Sequence, residues 1–199
     1  KSDTAVTPVT PVVTNPVVPP VVTQPVVAVH KTQFINPPGA TVTEKLTAVS
    51  QADIKGAMVR IGQSAKLGLT EIVFTDSTGA PVTLNAILTA LGAPTTDFTA
   101  DATVFIYKDD KGVWPGYIGE GNTANVATLI EANKMLSSFF IVSPGTLSAF
   151  KNGTINNLPD RYAPGTTAGA SLGYLVKNNK LLISTSFAGM KEALRLMGL

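Results

Sequence analysis

Residues 171–199 read SLGYLVKNNKLLISTSFAGMKEALRLMGL. Two β-favouring runs, Ser171–Lys177 and Lys180–Ser184, flank Asn178–Asn179. Asparagine tolerates positive φ at both central positions of a type I′ turn, the turn whose twist matches paired strands. Ser186 then stands where a helix N-cap belongs, and Met190, Ala193, Leu194 and Met197 recur at helical spacing up to Gly198. A hairpin that runs straight into an amphipathic helix points to an antiparallel sheet with a helix laid on it.

The same order is read further up the chain. Thr103–Lys108 and Gly112–Ile118 predict a second hairpin around Asp109–Asp110–Lys111–Gly112. Asn122 is read as the cap of a helix carrying Val126, Leu129, Ile130 and Leu136 on one stripe. Ahead of each hairpin a strand and a short helix are expected. They are Thr70–Thr75 with Leu84–Leu91 in the first pass, and Phe139–Ser143 with Thr146–Lys151 in the second. Before these, Ser50-Gln-Ala-Asp53 resembles a capping box, and Ile54, Met58, Ile61 and Ala65 follow at helical spacing, with Gly68 as the stop. The expected fold is α+β: a mostly antiparallel sheet, helices on one face, and two half-units of similar order.

Residues 4–29 are of a different kind: TAVTPVTPVVTNPVVPPVVTQPVVAV. Proline recurs every three to five residues with Val and Thr between, which excludes a helix and leaves polyproline II or edge-strand conformations. The chain therefore divides into an extended tail over residues 1–40 and one domain over 41–199. The run Val26–Phe34 lacks proline and is read as capable of forming a strand. Exposing so much valine is unfavourable at ~25 cal/mol per Å². The tail is therefore expected to lie against a neighbouring copy, burying Val17, Val18, Val21, Val22, Val26, Val27, Val29 and Phe34 as assembly contacts.

Composition narrows the chemistry. Charged residues make up 14% of the 199, the net charge is +2, and cysteine is absent. Disulfides, thiolate metal sites and cysteine nucleophiles are thereby excluded. Weak charge and the lack of a basic run argue against nucleic acid as a partner. No apolar run reaches the ~18 residues a membrane span needs. A low-charge, hydroxyl-rich surface suits an exported protein, with any export signal or anchor removed upstream.

The stretch Leu67–Leu199 resembles an uncharacterised extracytoplasmic α/β domain of bacterial envelope proteins. The resemblance rests on EIVFTDSTGAPVTL (71–84), ATVFIYKDDKG (102–112), FKNGTINNLPDRY (150–162) and GYLVKNNKLLISTS (173–186). It implies an envelope location and an α/β fold, and it carries no reaction.

Candidate sites are sparse. His30 is the sole histidine and stands in the tail, which leaves no partner set for a triad or a histidine metal site. Asp76 and Asp109 both sit near turns and would meet if their strands pair, as a glycosidase requires. Their contexts, Asp76-Ser-Thr-Gly and Asp109-Asp-Lys-Gly, equally suit carboxylates bonded to local backbone. Gly116-Tyr-Ile-Gly119-Glu-Gly121 has the wrong glycine order for a phosphate loop. Trp114 and Tyr117 would face opposite sides of a regular strand, Arg161 is read as holding a carboxylate or carbonyls locally, and Asn152-Gly-Thr154 matches a glycosylation acceptor. The reading is of a non-enzymatic surface subunit without catalytic residues, metal or cofactor. It would assemble with copies of itself, or with other envelope components, as a filament or layer joined by the tail. The alternatives are a monomeric binding module on a spacer and a carboxylate-dependent glycan hydrolase.

Overall fold

A computed structural model describes residues 29–93, 97–133 and 136–199. Among them, eight strands form one sheet. In chain order they are β1 (Ala40–Lys45), β2 (Gly68–Thr75), β3 (Thr103–Lys108), β4 (Val113–Glu120), β5 (Lys151–Ile155), β6 (Leu158–Pro164), β7 (Ser171–Lys177) and β8 (Lys180–Ser184). The helices are α1 (Gln51–Ser64), α2 (Leu84–Ala90), α3 (Val126–Glu131) and α4 (Phe187–Leu196). Across the sheet the order is β1-β2-β3-β4-β8-β7-β6-β5. Every pairing is antiparallel except β1 with β2, which α1 joins as a parallel crossover.

The turn and cap chemistry reads through directly. Asn178 and Asn179 have φ of 51° and 59°, both in the left-handed region that the type I′ turn needs. Ser50, Thr83 and Ser186 each N-cap a helix, their hydroxyls accepting from the backbone N–H of Asp53, Ala86 and Gly189. α1 ends earlier than expected, at Ser64, and Gly68 with φ of 103° opens β2 instead of stopping the helix.

Strand alternation separates two cores. In β3, Val104 and Ile106 belong to one and Phe105 to the other; in β4, Tyr117 and Ile118 part in the same way; in β8, Leu181 and Ile183 part from Leu182. The larger core takes α1, α2 and α3 through Ile54, Met58, Ile87, Leu88, Val126 and Ile130. The smaller takes α4 through Met190, Ala193, Leu194 and Met197. The helices, expected on one face, thus cover both. Trp114, expected to face away from Tyr117, joins the larger core beside it at the end of the sheet, where the loop carrying Gly169 closes over the indole.

The second half departs from the expected repeat. Residues 139–143 form no strand and 146–151 no helix; a short 3-10 turn, Leu136–Phe139, and an isolated bridge from Leu147 to Gly165 stand there. The β5–β6 hairpin was not anticipated. It turns at Asn156–Asn157 with φ of 51° and 62°, the same device as Asn178–Asn179. The helix after β4 is also shorter than read. Asn125 stands at its N-cap without a side-chain bond, Asn122 accepts from the Ala124 N–H in a local turn, and Leu136 falls in the 3-10 turn. Likeness between the halves stops at the hairpins β3–β4 and β7–β8, since α3 and α4 go to opposite faces.

Candidate functional site

α4 lies over β2, β3, β4, β7 and β8. Residues 30–36 cover the same face alongside it, and we call this segment the strap. It is not a strand, contrary to the reading of Val26–Phe34 over its described part. Backbone groups tie it to side chains and to a helix end instead. The Lys31 N–H donates to Asp101 Oδ2 at 2.8 Å and the Gln33 N–H to Thr103 Oγ1 at 2.8 Å. The Ile35 and Asn36 N–H groups both donate to the Leu196 carbonyl at 2.9 Å, which satisfies an orphan carbonyl at the C-terminus of α4. Between these ties Phe34 enters the smaller core, its ring edge-on to Phe105 at 6.1 Å. Asn36-Pro37-Pro38-Gly39 then leads the chain into β1.

At the outer end of the strap His30 lies over two carboxylates. Its Nε2 is 3.2 Å from Glu71 Oε1 and its Nδ1 is 2.7 Å from Asp101 Oδ2. The second contact is off the angle of a directed hydrogen bond and becomes an ion pair when the imidazole is protonated. Glu71 is 3% exposed, in the midst of an apolar strand, and its other carboxylate oxygen accepts from the Thr41 hydroxyl at 3.4 Å. The hydrogen bond to Glu71 raises the histidine pKa above its ordinary value against the opposing effect of burial, and Asp101 adds to the rise.

These observations move the boundary between tail and domain. Among the described residues, packing onto the domain begins at His30. Val29 is 91% exposed, and Phe34, expected to contact a neighbour, is buried against its own domain. The reason is that the Phe34 ring completes the smaller core alongside α4, where it packs with Leu69 and Phe105. Val17, Val18, Val21, Val22, Val26 and Val27 lie outside the described residues.

The suggested carboxylate pair does not assemble. β2 and β3 are antiparallel with Gly68 opposite Lys108, so Asp76 follows the far end of β2 while Asp109 follows the near end of β3. Strand rise puts them about 30 Å apart. Each serves its own turn. Asp76 Oδ1 accepts from the Thr78 N–H, the Thr78 hydroxyl and the Ala80 N–H. Asp109 Oδ1 accepts from the Lys111 and Gly112 N–H groups and the Trp114 indole. The glycine run is packed rather than open: a Cβ at Gly119 would meet Leu84 and one at Gly121 would meet the Asp97 carbonyl.

A second feature lies between α3 and the outer strands of the other half. It is a groove of about 400 Å³ lined by Thr123, Val126, Asn152, Arg161, Tyr174 and neighbours. Arg161 is the organiser. Its guanidinium donates in a fork to both Glu131 oxygens at 2.8 and 2.7 Å and to Asn152 Oδ1 at 2.8 Å, and the Tyr174 hydroxyl donates to Glu131 at 2.6 Å. The Arg161 hydrogen bonds hold the Glu131 carboxyl below the usual range. Desolvation first, then the hydrogen bond to Glu131, pushes Tyr174 up to about 12. Arg161 therefore does hold a carboxylate, as its sequence context suggested, though one from α3, 30 residues away. Arg161, Glu131, Asn152 and Tyr174 are thus occupied with one another. Among the described residues, no group of three His, Cys, Asp or Glu side chains is arranged to hold a metal ion, and no helix is long and apolar enough to cross a membrane.

The Glu71–Asp101 pair escaped the sequence reading, yet one signal was present: Glu71 interrupts the run Leu69–Phe74 at a position of the same parity as Leu69. An inward glutamate in such a strand calls for a cationic partner. Comparison of this chain with protein-family models, with curated proteins and with solved structures finds no match.

Proposed function

We propose that this chain is a non-enzymatic structural subunit of a cell envelope or surface, assembling with copies of itself through the N-terminal segment. The observation that carries the reading is the strap. A spacer needs no seat on its domain, whereas a connector that bears load between subunits does. Seven residues, His30–Asn36, are tied to β2, to the lead into β3 and to the end of α4. The low charge and the resemblance of Leu67–Leu199 to envelope domains support an exported, surface location. Within the described residues β1 and β5 are sheet edges, the kind of surface on which an extended Val/Thr segment adds hydrogen bonds.

The test is to remove residues 1–28 while keeping the strap, and to compare both chains by sedimentation velocity and negative-stain microscopy. The full chain should form polymers that the truncated chain does not. Equal assembly by both, or none by either, refutes the connector.

The groove beside α3 favours a second reading, a monomeric envelope module that binds a ligand on a spacer. It expects a monomeric full chain whose residues 1–28 give sharp NMR lines. Broad lines together with polymer formation remove it.

A further inference from the structure

We propose that His30 is a proton-operated latch: as imidazolium it ties the strap to Glu71 and Asp101, and loss of its proton releases the outer end of the strap. The geometry makes the case. Both ring nitrogens face carboxylate oxygens, Nε2 toward Glu71 at 3.2 Å and Nδ1 toward Asp101 at 2.7 Å. A neutral imidazole carries one N–H, so one nitrogen would turn its lone pair on a carboxylate; only the imidazolium suits both.

Among the described residues, the surroundings supply no substitute cation. The charged groups that face the imidazole are Glu71 from β2 and Asp101 from the lead into β3, and β1 brings the uncharged Thr41 hydroxyl to Glu71. Lys31 meets Asp101 through its backbone N–H. On α4, Glu192 and Arg195 pair with each other at 2.6 Å. Arg195 borders the other end of the strap, where its carbonyl accepts from Asn36. A neutral His30 therefore leaves Glu71, 3% exposed, without a cation, and a buried carboxylate in that state is strongly disfavoured. Release of the strap admits water to it.

The sign follows from linkage. Docking raises the histidine pKa. Its contribution is complete below about pH 6.5, the free value, and is lost as pH rises through the docked value. The inner tie through Phe34 and the Leu196 carbonyl does not titrate with His30, so the latch governs Val29–Gln33 most strongly. The consequence for assembly rests on the connector reading: at low pH the outer end of the strap is fixed on the domain, and at high pH residues 29–33 are released from it.

The experiment uses the full chain, in which His30 gives the only imidazole NMR signal. Its titration midpoint should lie above 6.5. Protection of the Lys31 and Gln33 amides from hydrogen exchange, corrected for intrinsic rates, should fall as pH rises through that midpoint, about tenfold for each unit the midpoint exceeds 6.5. His30→Gln should abolish the pH dependence, and His30→Lys should move it to higher pH. An ordinary midpoint, wild-type protection that is flat from about pH 5 to 9, or an unchanged pH profile in His30→Gln overturns the latch. A chain with the expected titration that never polymerises retains the latch and loses the connector; a polymer with a pH-indifferent strap does the reverse.

Discussion

Replacing Gly116 by alanine should unsettle the sheet at its centre and carry the disturbance to the strap. Gly116 lies in β4, paired with Phe105 on one side and Ser184 on the other. An alanine Cβ there would stand 2.0 Å from Phe105 Cζ, with Cε1 and Cε2 at 2.4 and 2.5 Å. Ordinary carbon contact is ~3.5 Å, so the ring must retreat by roughly 1.5 Å. Phe105 is fully buried, and the face of the sheet toward which it would retreat holds Phe34. Overpacking of this kind costs about 1–3 kcal/mol. Reduced freedom of the unfolded chain returns about 0.4–1 kcal/mol. A net loss of about 1–2 kcal/mol follows, or a fall in Tm of roughly 2–8 °C for a domain of this size. Urea denaturation followed by the fluorescence of Trp114, which lies in the other core, reads global stability. Amide exchange at Gln33 and Ile35 reads the strap. Phe105→Leu shortens the clashing group, so the double variant should recover at least about 1 kcal/mol relative to additivity. Gly116→Ala within about 0.5 kcal/mol of the parent, or a double variant that is merely additive, would show that the Gly116–Phe105 contact is not what fills this core.

Tyr117→Phe should lower stability by about 1 kcal/mol in urea denaturation, because the buried Tyr117 hydroxyl donates to the Phe139 carbonyl at 3.0 Å and phenylalanine removes that bond. At Asn178, with φ of 51°, alanine should cost about 1 kcal/mol and glycine close to nothing; equal losses from both would mean that the side chain, not the left-handed backbone, matters. Glu131→Gln should flatten the acid limb of the stability profile. The Arg161 hydrogen bonds depress the Glu131 pKa, so its contribution is present above the ordinary carboxylate value of 4.5 and fades as pH falls through the depressed one. Thermal melts at stepped pH values check this, and a wild-type slope in the variant refutes it.

Much of the architecture was legible in the chain because it rests on local chemistry. Asn178–Asn179 and Ser186 each act within a few residues, so the hairpin, the cap and the helix that follows could be read in place. The β3–β4 hairpin and α2 were legible for the same reason. The β5–β6 hairpin was missed although Asn156–Asn157 carries the same turn signal, because Lys151–Ile155 is too polar to look like a strand. As an edge strand it gains pairing from β6 alone. β1 escaped in the same way: Ala40–Lys45 becomes a strand through parallel pairing with β2, a partner that no local signal announces.

The sequence by itself set a Pro/Val/Thr-rich stretch apart, by composition, from a region whose local signals give an α+β domain, since proline spacing and hydrophobic periodicity are local properties. Where that division falls was a tertiary matter. Phe34, Gln33 and His30 read as tail, and they are held by Phe105, Thr103 and Glu71, residues between 41 and 71 positions away. A lone histidine and an inward glutamate each looked incidental in the chain. Glu71 stands on β2 and Asp101 in the lead into β3, and the strap lays His30 across both. Charges acquire a role only from what stands within a few ångströms, and that distance is set by the sheet.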